Sequence, residues 1–249
     1  MKAMIFAAGL GTRLRPLTDS MPKALVKVGG IPMLERVITH LRDCGFDRII
    51  VNVHHFGQSI IDFLNENDFG IEIAVSDERD TLLDTGGAIV KAREWLDGDE
   101  PFLVHNADIL TDLDLGEMMR RHERLGASAT LLVSGRQSSR YLLFDDSMRL
   151  HGWTNVTTGD CLPVGIDAGR YSRFAFGGIH VISPSLLNCL HAYGGDAPFP
   201  IVPFYVKSCA ESGIYGYVPE GQYSWFDIGR HSTLKAAESY LSRKETDKK

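Results

Sequence analysis

The chain of 249 residues has only four cysteines, Cys44, Cys161, Cys189 and Cys209, and they stand far apart with no Cys-x-x-Cys pair and no Cys/His group of zinc spacing. They read as reduced thiols, and nothing local marks one of them as an activated nucleophile. Basic charge is short as well, with 26 Lys and Arg against 32 Asp and Glu and a formal net charge of −6. A general nucleic-acid binder needs a surplus of cations to neutralise phosphates, so that class drops out, whereas a small anionic ligand needs only local ones. There is no apolar run of about eighteen residues, and the short N-terminal apolar stretch merges into a glycine loop. Neither a membrane span nor a cleaved signal is expected, and the protein is expected to be cytoplasmic. Repeats, low-complexity linkers and composition breaks are absent too. The expectation is one domain over residues 1–242, large enough to bury a substantial core, with a charged, fraying tail at 243–249.

What is present is concentrated in the first twenty-five residues. The apolar run Ala3-Met4-Ile5-Phe6 stops at Ala7-Ala8-Gly9-Leu10-Gly11-Thr12-Arg13, and Pro22-Lys23-Ala24-Leu25 follows shortly. A bounded apolar run before small residues reads as a buried strand, and Gly9 and Gly11 leave backbone amides open to a polyphosphate. Arg13 can grip phosphate oxygens with a bidentate fork. Lys23 is a compact point charge suited to a phosphorus centre that gains negative charge. Gly-x-Gly also opens dinucleotide-binding folds, but there a third glycine follows where this chain has Leu14; a plain structural turn is the other reading.

Further along, apolar residues at helical spacing (Leu34, Val37, Ile38, Leu41) with Gly45 as a cap predict a helix opened by Ile31-Pro32. Strands are predicted at 48–53, 71–75 and 101–105, with helices at 57–65 and 88–96 between them. This alternation implies right-handed βαβ units and a mostly parallel sheet, whose ligands sit at the carboxyl ends of the strands. Beyond it, a helix is predicted over 113–125, a strand over 127–133, a hairpin from 141–144 and 150–153, and a loop or flap over 157–171. A strand over 174–182 and a helix capped by Ser183-Pro184 come next. A helix over 199–212, strands at 214–218 and 223–226, and a last helix over 232–241 complete the expectation.

Asp108 and Asp227 each end an apolar run, and two carboxylates with water and phosphate oxygens make the hard oxygen site that Mg²⁺ prefers, if the two meet; alone, each is a helix or turn cap. Leu83-Asp84-Thr85-Gly86-Gly87 reads as Asp84 or Thr85 capping a helix, with glycines admitting a close approach, or as a plain helix start. Gly177-Gly178 inside a strand suggests either close backbone approach or a bulge. His54 and His55 read as polar strand-end residues or, less simply, metal ligands.

The segment GLGTRLRPLT followed by PKAL resembles the signature of the sugar-1-phosphate nucleotidyltransferases. Within that family the short chain, the DTGG segment and WFDIG look most like the bacterial N-acetylmuramate-1-phosphate uridylyltransferases of peptidoglycan recycling. The resemblance implies a single Rossmann-like, three-layer α/β domain with a mostly parallel mixed sheet. It implies a nucleoside triphosphate and a sugar-1-phosphate as partners, without nucleic acid or membrane, and Mg²⁺ held by Asp108 and Asp227. Ala8, Gly9, Leu10, Gly11 and Thr12 would bind the nucleotide with Arg13, Lys23 and Gly87, Gly87 at the base edge. Asp84, Asn106, Gly177 and Gly178 would serve the sugar phosphate, and Arg13, Lys23 and Asp108 would carry the catalysis. Asp84 stands where relatives have Glu, and Trp153-Thr154-Asn155 replaces a Glu-Lys-Pro segment, which weakens a thymidylyltransferase reading. The rivals are a mannose-1-phosphate guanylyltransferase, a cytidylyltransferase acting on phosphocholine, and a catalytically silent nucleotide-sensing module. Absence of a long C-terminal extension counts against a bifunctional acyltransferase.

Overall fold

The computed structural model describes residues 1–246. Strand β1 (Lys2–Phe6) runs into the glycine loop, and the two-residue strands β2 (Lys27–Val28) and β3 (Ile31–Pro32) pair ahead of helix α1 (Met33–Asp43). α1 buries the expected stripe of Leu34, Val37, Ile38 and Leu41, and Gly45, at φ 90°, follows its end in the left-handed region. Next come β4 (Arg48–Val53), α2 (Gly57–Glu66) and β5 (Glu72–Asp77), then α3 (Asp84–Lys91), α4 (Arg93–Leu96), β6 (Phe102–Asn106), β7 (Ile109–Thr111) and α5 (Leu115–Leu125). Strands β8 (Ala129–Ser134), β9 (Arg140–Phe144), β10 (Leu150–Asn155), β11 (Cys161–Leu162) and β12 (Ser172–Ile182) precede α6 (Ser185–Gly194) and α7 (Ile201–Ser208). The described chain closes with β13 (Ile214–Tyr217), β14 (Trp225–Asp227) and α8 (His231–Thr246). No helix among the described residues is long and apolar enough to cross a membrane.

Several boundaries differ from the sequence reading for physical reasons. The single helix expected at 88–96 is interrupted at Ala92 and starts earlier, at Asp84; the early start follows because the Phe199 carbonyl accepts from the Gly86 and Gly87 N–H groups and so caps a helix that begins on two poor helix formers. Strand β7 was not expected at all. The helix expected over 199–212 is confined to Ile201–Ser208, and the expected loop over 157–171 contains β11 and a short turn at Ala168–Arg170. Ser183 does not cap α6 with its side chain; its hydroxyl donates to the Ala127 carbonyl. Residues 243–246 of the expected tail belong to α8, and residues 247–249 lie outside the described residues.

The chain divides into two compact units, the first made of Met1–Leu82, His105–Leu115 and the chain from Gly221, the second of Leu83–Val104 and Gly116–Glu220. The first unit carries the parallel ladder β1–β4–β5, with Met4 opposite Ile50 and Ile50 opposite Ala74. β1 and β4 are buried on both faces, which is why they read as continuous apolar runs, whereas β5 at the sheet edge is half-exposed. In the second unit β12 is antiparallel to β8 and β9, β10 is antiparallel to β9 and β11, and β13 is parallel to β8. The fold class is therefore α/β with a mixed sheet, parallel in the first unit as the alternation required.

Polar side chains tie the strand ends of the first unit together. Buried Asn52, in β4, accepts from the Ala7 N–H at 2.8 Å through Oδ1 and donates to the Glu78 carboxylate at 2.9 Å through Nδ2. His54 Nδ1 donates to the Glu78 carbonyl at 2.6 Å, so His54 works as a strand-end tie. The carboxyl ends of β1, β4 and β5 thus form one edge, and the Ala107 N–H joins it by donating to the Phe6 carbonyl at 3.0 Å.

Candidate active site

On that edge of the first unit the loop after β1 is built around Gly11. Its φ is 66°, and a Cβ there would sit 3.0 Å from both Lys23 Cβ and Thr18 Cγ2, so both conformation and space demand glycine. The buried Thr18 hydroxyl donates to the Gly11 carbonyl at 2.8 Å and fixes the loop from beneath. A Cβ at Gly9 would meet nothing within 4 Å, and Leu10 is exposed, so the outer face of the loop is open to a ligand. Residues Thr12–Leu14 make a single 3₁₀ turn whose buried Leu14 anchors it while Arg13 points to the surface.

Lys23 and Arg13 meet the two aspartates. Lys23 Nζ forms an ion pair with Asp108 Oδ2, both side chains being mostly buried. A Cβ on Gly229 would lie 2.6 Å from Asp227 Oδ1 and 2.7 Å from Arg13 Nη2, so the guanidinium and this carboxylate flank one glycine. Gly229 is thereby a site residue that sequence reasoning passed over. Its signal was the small residue directly after Asp227-Ile228. The aspartates are brought together by the two-stranded ladder β7–β14, in which Asp227 pairs with Ile109 and the Ile228 N–H donates to the Asp108 carbonyl at 2.8 Å.

Asp227 Oδ1 is buried and has no hydrogen-bond donor among the described residues. An orphaned carboxylate oxygen on an aspartate whose ladder neighbour carries a second aspartate fits a hard cation with oxygen ligands. Among the described residues no group of three or more His, Cys, Asp or Glu gathers in one place. Two carboxylates leave the other ligand positions to water and phosphate oxygens, as Mg²⁺ prefers. Asn106, the last residue of β6, is half-buried near the same strand end, and its carbonyl accepts from His105 Nδ1 at 2.8 Å.

The remaining expected site residues lie in the second unit. Asp84 adopts φ 57° and its Oδ1 accepts from the Thr85 N–H at 2.6 Å, while Thr85 Oγ1 accepts from the Ile201 N–H at 2.9 Å. Neither side chain caps α3, contrary to expectation; the cap is the Phe199 carbonyl, at 2.8 Å from Gly86 N and 3.3 Å from Gly87 N. The close approach that the glycines admit is that of residues 197–199: a Cβ on Gly86 would fall 2.1 Å from the Phe199 ring and one on Gly87 2.9 Å from the Ala197 carbonyl oxygen. At Gly177-Gly178 the structure has the bulge, and the chain itself comes close there. The β12–β8 register shifts between Phe176 and His180, Gly178 takes φ 74°, and a Cβ on Gly177 would come within 3.1 Å of the Leu132 carbonyl oxygen.

The arrangement has relatives. A family model described as nucleotidyl transferase matches residues 2–142. The N-acetylmuramate alpha-1-phosphate uridylyltransferase of Neisseria meningitidis is 45% identical over 240 residues, covering 96% of this chain and 97% of that protein. The protein of the same name from Caulobacter vibrioides is 31% identical over 250 residues, covering 96% of each. Among solved structures, a putative glucose-1-phosphate thymidylyltransferase from Bacillus anthracis superimposes with a TM-score of 0.79 at 17% identity, over 96% of this chain and 94% of the other, which is a likeness of fold.

Proposed function

We propose, from the premise that this chain belongs to the nucleotidyl transferase family and is a sugar-1-phosphate nucleotidyltransferase, that it transfers the uridylyl group of UTP to N-acetylmuramate-1-phosphate and releases pyrophosphate. The observation that carries this reading is the 45% identity, spanning nearly the whole of both chains, to a uridylyltransferase of that name. Residues 1–242 then act as one nucleotidyltransferase domain, in the cytoplasm where nucleoside triphosphates are made, and the product feeds peptidoglycan recycling.

The acceptor phosphate is already a nucleophile, so the protein has to align it in line with the α-phosphorus and offset the charge that builds there. No covalent enzyme intermediate is required. Arg13 grips the leaving β- and γ-phosphates. Lys23, held in place by Asp108 before substrate arrives, turns to the α-phosphate and the incoming phosphate as negative charge develops. Asp108 and Asp227 would hold Mg²⁺, which when bound neutralises phosphate charge. The open backbone of residues 8–12 receives the triphosphate. The resemblance assigns Leu10 and Gly87 to the base, and Asp84, Asn106, Gly177 and Gly178 to the sugar phosphate.

A pocket closed by backbone around a pyrimidine rejects a purine by clash. It rejects cytosine because reversed donors and acceptors leave buried polar groups unpaired. With N-acetylmuramate-1-phosphate as acceptor, kcat/KM for UTP is expected to exceed that for GTP and CTP by about tenfold or more. A GTP or CTP preference in that panel would retire the uridylyltransferase reading and leave the nucleotidyl transfer standing.

A further inference from the structure

The two proposed metal ligands owe their juxtaposition to very little structure. β7 and β14 form a sheet of two strands with only three residue pairs, Trp225 with Thr111, Phe226 with Leu110 and Asp227 with Ile109. Ribbons of this size are marginal by themselves, and a one-residue slip would turn every side chain to the other face. The register that sets Asp108 beside Asp227 therefore has to be fastened from outside the ribbon.

One end is fastened at the site itself, by the Ile228 N–H on the Asp108 carbonyl. At the other end stands Asp112, immediately after β7. Its Oδ1 accepts from the Ser224 N–H at 2.6 Å, and the Thr111 hydroxyl donates to the Ser224 carbonyl at 2.7 Å, so the residues flanking the ribbon are clamped across it. Asp112 Oδ2 accepts from the Tyr240 hydroxyl at 2.9 Å and from Lys244 Nζ at 2.7 Å, both on α8. The Tyr240 ring packs against Phe226 of β14 at 5.3 Å between centroids, and Lys244 Nζ lies 5.2 Å from the Tyr240 centroid. Burial alone would push the Asp112 carboxyl up, but the bonds from Lys244, the Ser224 N–H and Tyr240 outweigh it and hold it down at about 2.

We infer that Asp112, gripped by Tyr240 and Lys244, is a positioning residue that holds the β7–β14 register and with it the spacing of Asp108 and Asp227. The inference rests on the metal reading of those two aspartates. Asp112 is no ligand itself, because donors already occupy both of its oxygens. The grip on Asp112 is polar and open to solvent: Asp112, Ser224, Tyr240 and Lys244 line a cavity of about 340 Å³, and the Asp112 and Lys244 side chains are 39% and 48% exposed. Ion pairs this exposed contribute little to global stability. Their loss should register in the placement of the ribbon and not in the survival of the fold.

The test is Mn²⁺ binding to the nucleotide-free protein, followed by loss of the free-ion electron paramagnetic resonance signal, with thermal melts in parallel. Asp112→Asn and Lys244→Met are expected to weaken Mn²⁺ binding by roughly three- to tenfold, within the reach of outer-sphere changes around metal sites. Their melting temperatures should stay within a few degrees of the wild type. Lys244→Arg should bind within about twofold of wild type, because the charge and donor remain. If Asp112→Asn fails to fold, Tyr240→Phe combined with Lys244→Met leaves the carboxylate and its Ser224 bond in place and carries the same expectation. Wild-type binding by the latch variants while Asp108→Asn loses Mn²⁺ would overturn this inference and spare the metal reading. Binding unchanged in Asp108→Asn and Asp227→Asn, or absent from the wild type, would overturn the metal reading and this inference with it.

Discussion

Gly9 of the first unit and Gly86, Gly87 and Gly177 of the second sit in opposite surroundings, although a ligand is expected beside all four. In the first unit a side chain at Gly9 would enter open space. In the second, side chains at Gly86, Gly87 and Gly177 would strike the Phe199 ring, the Ala197 carbonyl and Leu132. A glycine can thus be required because a ligand comes close or because the chain itself does. Sequence presents both as the same small-residue cluster. The first unit keeps its charged groups beside the open glycine, whereas the second fills its glycine contacts with its own core.

The largest effects expected from this contrast are in the first unit. Asp108→Asn and Asp227→Asn should each lower kcat by about 10²-fold or more, the scale on which removal of preorganised charge stabilisation acts, while melting temperatures hold. Lys23→Ala should lower kcat more than it raises KM for the nucleotide, since a charge that matters chiefly in the transition state acts on the chemical step; Arg13→Ala should harm both. Activity that persists in excess chelator, or a Lys23→Ala defect confined to KM, would remove these residues from the roles proposed.

A smaller effect separates the two kinds of glycine directly. Gly86→Ala places a methyl group 2.1 Å from the Phe199 ring, an overpacking expected to cost about 1–3 kcal/mol, or several degrees of melting temperature. Gly9→Ala meets no atom within 4 Å and should leave the melt unchanged while raising KM for the nucleotide. Equal melts for the two variants would mean that Phe199 moves aside, and the contrast between the units would lose its energetic content.

How much of this was legible depended on how far a residue's partner lay along the chain. α1 was readable from its own periodicity, and β4 from its own apolar run. Arg13 and Lys23 were readable as candidates because phosphate chemistry needs cations beside an open loop, and Asp108 and Asp227 because each ends an apolar run. Strand β7 was not, because its three residues become a strand only when β14, far along the chain, pairs with them. The start of α3 on Gly86 and Gly87 depends on the Phe199 carbonyl, and the last turn of α8, read as a fraying tail, is held where Lys244 reaches Asp112. Gly229 and Asp112 escaped for the same reason, since their work consists wholly of what they allow or hold elsewhere.

The effect that is smallest near neutral pH concerns acid, and it sharpens the comparison because buried histidines are distributed unequally. His105 in the first unit is held down at about 4, chiefly by burial, against which a bond to the Asn106 carbonyl works. In the second unit burial holds His122 at about 4 and His180 at about 3. Ser183 Oγ donates to the Ala127 carbonyl and so accepts from His122 Nε2–H at 2.9 Å, which leaves His122 Nδ1 to accept from the Thr130 hydroxyl at 2.9 Å. The neutral tautomer is therefore the one the surroundings require. All three folded values lie below the ordinary value of 6.5, so as pH falls the unfolded chain takes up protons first. Stability from each group is complete above about pH 6.5 and is lost progressively toward its folded value, by about 0.8 kcal/mol per histidine at pH 6 and about 2 kcal/mol at pH 5. His122→Gln keeps one donor and one acceptor and should remove one such contribution, so its urea-unfolding free energy should fall less steeply than wild type between pH 7 and 5. With two of these groups against one, amides of β8 and β12 should lose hydrogen-exchange protection at pH 5 before those of β1 and β4. An unchanged slope in His122→Gln would mean that His122 already carries its proton in the folded state, against the tautomer that Ser183 and Thr130 impose.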